Sequence, residues 1–332
     1  MSSKPLVSLS LPSGQRLVGH LDGASLVLVQ EGRELLHAQR QGDVWQLSEL
    51  KLHQQAEALW ALAYWCFASE PELATLRLQM PEVAPALLAS GLLRRKGDSL
   101  HVERGAFWQL PATFAAQVSS AGYPQHMVMH ASGRRHPQRA PKPVGEVYRR
   151  FDTRLGAWIS LRTLDIETDL PRFNRWQNSP RVAAFWQEQG DLAKHRDYLE
   201  TLAADPRVLS LIGFFDDQPF AYFEAYWAKE DRIAPFYAAD DYDRGIHMLV
   251  GEENHRGPHK VASWLSALTH YLFLDEPRTQ RIVAEPRADN GRMIGHMQSQ
   301  GYHRDKEFDF VHKRAALMVQ SREVFFYPCN LA

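Results

Sequence analysis

One arrangement occurs twice in this chain, and it limits the folds open to it. Trp60-Ala-Leu-Ala-Tyr-Trp-Cys-Phe-Ala-Ser-Glu-Pro71 leads into Leu76-Arg-Leu-Gln-Met-Pro81, and Ser266-Ala-Leu-Thr-His-Tyr-Leu-Phe-Leu-Asp-Glu-Pro277 leads into Ile282-Val-Ala-Glu-Pro286. Each copy is an apolar helical stretch, an acid–proline stop and a short strand closed by proline. Each then runs through a helix ending in glycine (Ser90-Gly-Leu92 and Gln300-Gly-Tyr302) into a strand-like segment. Such self-similarity implies a duplicated unit. With 332 residues the chain has room for two domains. The stretch from Ala131 to Pro143, rich in proline and positive charge, reads as a solvated connector. The expected division is residues 1–130, a linker over 131–145, and a second domain over 146–332.

The copies are unequal. Before Trp60 the first has Lys51-Leu-His-Gln-Gln55; before Ser266 the second has Asn254-His-Arg-Gly-Pro-His-Lys260. Gln79 stands where the second copy has Glu285. The first half reads as a degenerate copy that keeps the fold and loses the chemistry.

The second half reads as a mixed α/β sheet. Val208–Phe214 and Pro219–Trp227 form a hairpin turning at Asp216-Asp217, with Phe220, Tyr222, Glu224 and Tyr226 on one face. Gly245–Val250 is a strand, and Val261, Trp264, Leu265, Leu268 and Leu272 mark one stripe of the helix that follows. Arg281–Glu285 is the next strand, Ala288-Asp-Asn-Gly291 opens another helix, and Glu307–His312 closes the set.

Between strand and helix, the run Asn254–Lys260 is an anion site in the making. Exposed backbone N–H groups, the positive helix end and the flanking Arg256 and Lys260 converge there, and Gly257 permits close approach. His247 on the preceding strand and Glu285 at the end of the following one would meet if both strands end at one edge. An imidazole and a carboxylate in one cleft suit acid–base chemistry; as structural groups they would be a core histidine and a salt-bridging acid. His255, His259 and His270 do not make a metal set, because Gly257 and Pro258 break the helix that would align them, and no metal is expected. Tyr222, Glu224, Tyr226 and Trp227 are candidates to line an apolar acceptor slot.

The totals exclude other classes. A formal charge of −1 argues against general nucleic-acid or membrane attraction, and two cysteines give no disulfide framework. The first residues lack a signal-peptide pattern, and the longest apolar run, Ala58 to Ala68, is about half of the ~20 residues that a membrane span needs. A cytoplasmic protein is expected.

Several strings resemble a known family. Gly245-Ile-His-Met-Leu-Val, Arg256-Gly-Pro-His, Asp275-Glu-Pro-Arg-Thr-Gln-Arg281, Glu285-Pro-Arg-Ala-Asp-Asn290 and Tyr222-Phe-Glu-Ala-Tyr-Trp227 are similar to the GNAT acyltransferases of siderophore biosynthesis, above all those that acetylate N-hydroxylysine. The resemblance runs from about residue 106 to residue 326. It implies a GNAT fold, here a degenerate GNAT-like unit followed by a complete one. It also implies acetyl-coenzyme A, or succinyl-coenzyme A, as donor and an N-hydroxyamine as acceptor, with an amine N-monooxygenase and a siderophore synthetase as pathway neighbours. The family's pyrophosphate pattern, R/Q-x-x-G-x-G/A, falls on Asn254-x-x-Gly257-x-His259 and departs from it at both ends. Binding would therefore lean on Arg256, Gly257, His259 and Lys260. The resemblance further implies His247 and Glu285 as the catalytic pair, Leu249 and Val250 holding the thioester carbonyl, and Asn290 contacting the coenzyme. The alternatives are succinyl transfer to hydroxyputrescine or hydroxycadaverine, and a non-catalytic acyl-coenzyme A-binding or partner-docking module.

Overall fold

The computed structural model describes residues 8–110, 114–115, 122–131, 133–327, 329 and 331. Among them the first sheet has eight strands: β1 (Ser8–Ser10), β2 (Arg16–Asp22), β3 (Ser25–Gln30), β4 (Arg33–Gln41), β5 (Val44–Gln46), β6 (Thr75–Gln79), β7 (Arg94–Lys96) and β8 (Ser99–Glu103). Their order is β1-β2-β3-β4-β5-β6-β8-β7, and only β5 and β6 run parallel, bridged by helix α1 (Gln55–Ser69). Helices α2 (Pro85–Ala89) and α3 (Arg104–Phe107) follow β6 and β8.

A hairpin of β9 (Met127–Met129) and β10 (Arg135–Pro137) precedes the second sheet. That sheet comprises β11 (Glu146–Asp152), β12 (Ala157–Thr163), β13 (Val208–Phe215), β14 (Gln218–Trp227), β15 (Arg244–Val250), β16 (Arg281–Ala284), β17 (His303–Asp309) and β18 (Arg314–Ser321). Its order, β11-β12-β13-β14-β15-β16-β18-β17, repeats the first strand for strand, and again the fifth and sixth strands run parallel. Its helices are α4 (Ile166–Gln177), α5 (Pro180–Trp186), α6 (Leu192–Ala204), α7 (Pro258–Asp275), α8 (Gly291–Ser299) and α9 (Arg322–Phe326). Where β2 turns into β3 at Asp22–Ser25, the second copy inserts α4, α5 and α6 between β12 and β13.

The chain divides into two compact units, one of residues 1–113, 151–156 and 326–332, the other of residues 114–150 and 157–325. The stretch read as a connector, residues 131–145, contains β10 and buries Arg139, whose guanidinium forks onto Glu230 at 2.6 Å on both arms. It is structured because a buried arginine needs its carboxylate.

Helix α7 also differs from its reading. Not one stripe but nearly its whole circumference from Val261 to Leu274 is buried, as is α1 from Ala58 to Phe67 apart from Trp60. A helix apolar all round is a central one, and each here joins the two parallel strands of its sheet. The Asp216–Asp217 turn is as expected, with φ of 47° and 63° in the left-handed region that two-residue hairpins require. Strand β18 went unread because Ala315–Val319 is a continuous apolar run, which carries no alternation.

Candidate active site

Strands β14, β15 and β16 carry the site. In the antiparallel β14–β15 ladder Glu224 lies directly opposite His247. The parallel pairs Arg244↔Ile282 and Gly245↔Val283, continued two residues, bring His247 level with Glu285. The imidazole is therefore flanked on both sides. Its Nδ1 lies 2.7 Å from Glu224 Oε2 and its Nε2 lies 2.6 Å from Glu285 Oε1. Three phenols complete the network. Tyr198 and Tyr222 donate to Glu224 Oε1 at 2.6 and 2.9 Å, and Tyr226 donates to Glu285 Oε2 at 2.6 Å.

Burial alone would raise the Glu285 carboxyl and lower the His247 imidazole. Pairing reverses both, holding Glu285 at about 2 and lifting His247 to about 10. Glu224 is likewise held below its ordinary value against burial by His247 and the two phenols. Burial pushes all three phenols up, and the carboxylates add to that. The resting state is an imidazolium between two carboxylates. The side chain of His247 is 24% exposed whereas that of Glu285 is 0% exposed, so the ring is the part of the pair open to the cavity.

The cavity has a volume of about 960 Å³ and is lined by groups from both sides of the β15–β16 edge. Trp186 comes from the end of α5, Glu188 from the α5–α6 connection, Arg232 from the β14–β15 connection, Asn290 from the start of α8 and Lys313 from the β17–β18 turn. His195 holds the α5–α6 wall, its ring nitrogens contacting Asn174 Nδ2 at 2.9 Å and the Glu188 carbonyl at 2.7 Å.

Of the four residues expected to line an acceptor slot, Glu224 and Tyr226 do so. Tyr222 lies behind them, packed on Phe173. Trp227 alternates to the other face, where it stacks under Arg139 and Arg244 at 4.2 and 4.0 Å. Period-two alternation explains why Trp227 parts from Glu224 and Tyr226, whereas Tyr222 shares their face and is covered by its neighbours.

The backbone directions sharpen the carbonyl-binding expectation. Gly251 N–H donates to the Phe220 carbonyl at 2.8 Å and Ala228 N–H to the Asp243 carbonyl at 2.9 Å. The odd-numbered positions of β15 therefore face β14, and Ile246, Met248 and Val250 face β16. Leu249, paired with Tyr222, spends its amide in the ladder. The last β15–β16 pair is Gly245↔Val283, so the amides of Met248 and Val250 lie in the opening beyond it.

That opening leads to the glycine turn. Gly257 has φ 122° and caps α7 from outside, with Pro258 as the first helical residue. Lys260 is drawn onto the loop instead of outward: its Nζ donates to the Asn254 carbonyl at 3.0 Å and lies 3.1 Å from His255 Nδ1. Arg256 and His259 are exposed. A cation that no spacing announces stands beside them: Arg181, from the first turn of α5, donates to the carbonyls of Val250 and Gly251 at 2.8 and 3.1 Å. Asn290 Oδ1 caps α8 by accepting from Met293 N–H at 3.2 Å, which leaves its Nδ2 as donor toward the cavity. His255 packs on Phe215, and His270 bonds to Tyr148. Among the described residues no helix is long and apolar enough to cross a membrane, and no group of three or more His, Cys, Asp or Glu side chains is placed to hold a metal ion.

The first sheet holds the same three positions with different chemistry. There Gln46 faces Gln39 across β4 and Gln79 across β6. Glu–His–Glu in one sheet is Gln–Gln–Gln in the other.

Comparisons with known proteins give the family. Residues 165–310 match the acetyltransferase (GNAT) domain family. The chain is 44% identical over 267 residues to an N(6)-hydroxylysine O-acetyltransferase of Escherichia coli, covering 80% of this chain and 84% of that protein. It is 35% identical to a hydroxyornithine transacylase of Ajellomyces capsulatus, over 82% and 72% of the two chains. The crystal structure of an uncharacterized protein from Bacillus halodurans superposes with a TM-score of 0.54 at 28% identity, over 56% of this chain and 95% of that one. The chain belongs to the GNAT acyltransferases of siderophore biosynthesis, which take their acyl group from acyl-coenzyme A.

Proposed function

We propose that the protein acetylates the N-hydroxylated side-chain amine of N-hydroxylysine, giving a hydroxamate. The observation that carries this reading is the Glu224–His247–Glu285 array beside the opening of β15 from β16. A non-catalytic binding module has no use for such an array, and the first sheet has lost it.

In the reaction the hydroxylamine nitrogen attacks the thioester carbonyl. A C–N bond forms, the C–S bond breaks, and the proton lost by nitrogen balances the one gained by the departing thiol. The amides of Met248 and Val250 stabilise the developing oxyanion from the β15 edge. His247, already an imidazolium with both N–H bonds committed, has no lone pair to offer. Its part is to keep Glu285 ionised and oriented. Glu285, enclosed at rest with Arg232 3.9 Å from its Oε1, takes the proton once that guanidinium moves aside, because a carboxylate oxygen that accepts one hydrogen bond keeps a second lone pair. Because a hydroxylamine nitrogen is less basic than an alkylamine, a weak base suffices, and positioning supplies much of the rate. The Arg181–Arg256 side of the glycine turn and the first amides of α7 take the pyrophosphate.

N-acylation also places the protein in sequence. Its acceptor must come from an amine N-monooxygenase, its product goes to a siderophore synthetase, and the cytoplasm is where acyl-coenzyme A is met.

The test is a panel assay of thiol release with acetyl- and succinyl-coenzyme A against hydroxylysine, hydroxycadaverine, hydroxyputrescine and lysine. The product is then challenged with iron(III), since only the N-acyl isomer is a hydroxamate that forms the coloured chelate. Activity on lysine alone, or an uncoloured O-acyl product, overturns the assignment. Near-normal turnover of both His247→Ala and Glu285→Gln at saturating substrate overturns the site.

A further inference from the structure

Three basic side chains of the cavity wall gather around one aromatic ring, that of Phe310. The Arg232 guanidinium lies 5.4 Å from the centre of Phe310, the Lys313 ammonium 5.5 Å from it, and the His312 ring stacks on it at 5.6 Å. All three line the cavity, and they come from two separate connections, Arg232 before β15 and the others between β17 and β18. Arg287, from the start of the β16–α8 connection, lines the same cavity but carries its own carboxylate, forking onto Asp289 at 3.1 and 2.6 Å.

The group around Phe310 lacks a counter-ion of its own. Among the described residues, the one carboxylate within ion-pair distance of it is Glu285, 3.9 Å from Arg232 Nη2, and Glu285 is already committed to His247. Lys313 spends one donor on the Glu285 carbonyl at 2.7 Å. Burial lowers the Lys313 ammonium, and Arg232 and Arg287 push it the same way against Glu285, which raises it; the His312 imidazole is lowered by burial and then by Arg232 and Lys313. Like charges gathered on a partly desolvated wall repel, and an anion entering the cavity relieves them.

We propose that Arg232, backed by Lys313, is the specificity-determining group that binds the carboxylate of the acceptor. This rests on the reading of the site as an N-hydroxyamine acyltransferase. Arg232 suits the task because its side chain is 53% exposed and donates no hydrogen bond among the described residues, so it is held by stacking and a long ion pair alone. A planar guanidinium grips a carboxylate through two parallel N–H bonds. In turning to do so it also withdraws from Glu285, which it now covers. An acceptor with a carboxylate would thereby uncover the group that receives its proton, whereas a diamine derivative would not.

The experiment compares kcat/KM for N-hydroxylysine with that for N-hydroxycadaverine, which is the same acceptor without the carboxylate, in the wild type, Arg232→Gln and Arg232→Lys. The ratio is expected to fall by ~10–100-fold in Arg232→Gln, chiefly through KM for hydroxylysine, and to recover in part in Arg232→Lys. A ratio untouched by Arg232→Gln overturns the assignment, as does a change that appears only between acetyl- and succinyl-coenzyme A, which would make the group a donor-carboxylate site. A wild-type enzyme that acylates neither hydroxyamine overturns the acyltransferase reading itself, and this inference with it.

Discussion

Gly245 faces Tyr226 so closely that an added Cβ would lie 2.0 Å from the ring atoms Cε2 and Cζ. The missing side chain is what lets the phenol reach Glu285. Gly245→Ala must push the ring aside, and overpacking of this kind costs about 1–3 kcal/mol. A lowered melting temperature with a larger loss in kcat than in acyl-coenzyme A affinity is expected, read by thermal unfolding and steady-state kinetics. Wild-type kcat in the variant would show that the Tyr226–Glu285 bond is idle.

The charged triad makes stability depend on pH in a definite direction. His247, raised from 6.5 to about 10, contributes stability that is complete below 6.5 and is lost as pH climbs toward 10. Glu285, lowered from 4.5 to about 2, contributes stability that is complete above 4.5 and is lost as pH falls toward 2. The two contributions are both full between those windows, from 4.5 to 6.5. Urea unfolding of the wild type and His247→Gln should give the largest stability gap near pH 5.5 and a shrinking gap toward pH 9.5, roughly as linkage requires. A gap that widens with pH would mean that the ring is neutral in the folded protein.

Glu224→Gln tests the carboxylate on the far side of the ring. The amide keeps the shape but removes the charge that helps hold His247 as a cation. Loss of a charge-assisted bond of about 1.5–3 kcal/mol corresponds to a drop in kcat of roughly 10–100-fold. Nitrogen NMR of the imidazole should show its titration moving down from that of the wild type. An unchanged titration beside a lowered kcat would point to misfolding instead.

Gly257, in the turn before α7, has a backbone conformation, φ 122°, that L side chains rarely adopt, and a Cβ there would meet His259 Cε1 at 3.0 Å. Gly257→Ala should strain the cap of α7 by about 1–3 kcal/mol. The expected readout is a KM for acyl-coenzyme A raised roughly tenfold or more with a smaller change in kcat. A variant with unaltered KM would remove the turn from the binding site.

Much of this was legible in the chain. The repeated helix–strand strings pointed to a duplicated sheet, and His247 and Glu285 were legible because one lies in the strand before a helix and the other just past the strand after it. Strand order itself was not, since pairing between distant segments leaves no local pattern. The residues that came unannounced share a cause. Tyr198 sits on a helix inserted between β12 and β13, and Arg181, Arg232 and Lys313 stand at or between element ends, where neither period 2 nor period 3.6 applies. Arg172 and Arg175, on α4, are bound to Asp169 and Glu252, each at 2.5 Å, and neither lines the cavity that Arg232 enters. Leu249 was off by one, and in a strand one residue reverses the direction of an amide.

The Gln39–Gln46–Gln79 set has a meaning beyond its own half. It is a triple substitution made by nature on the same strand lattice, with every acid and the imidazole exchanged for neutral amides, and the order of all eight strands has survived it. The architecture thus has no need of ions at these positions. The burial of two glutamates around a histidine in the second sheet is therefore a feature that the strand lattice does not itself require.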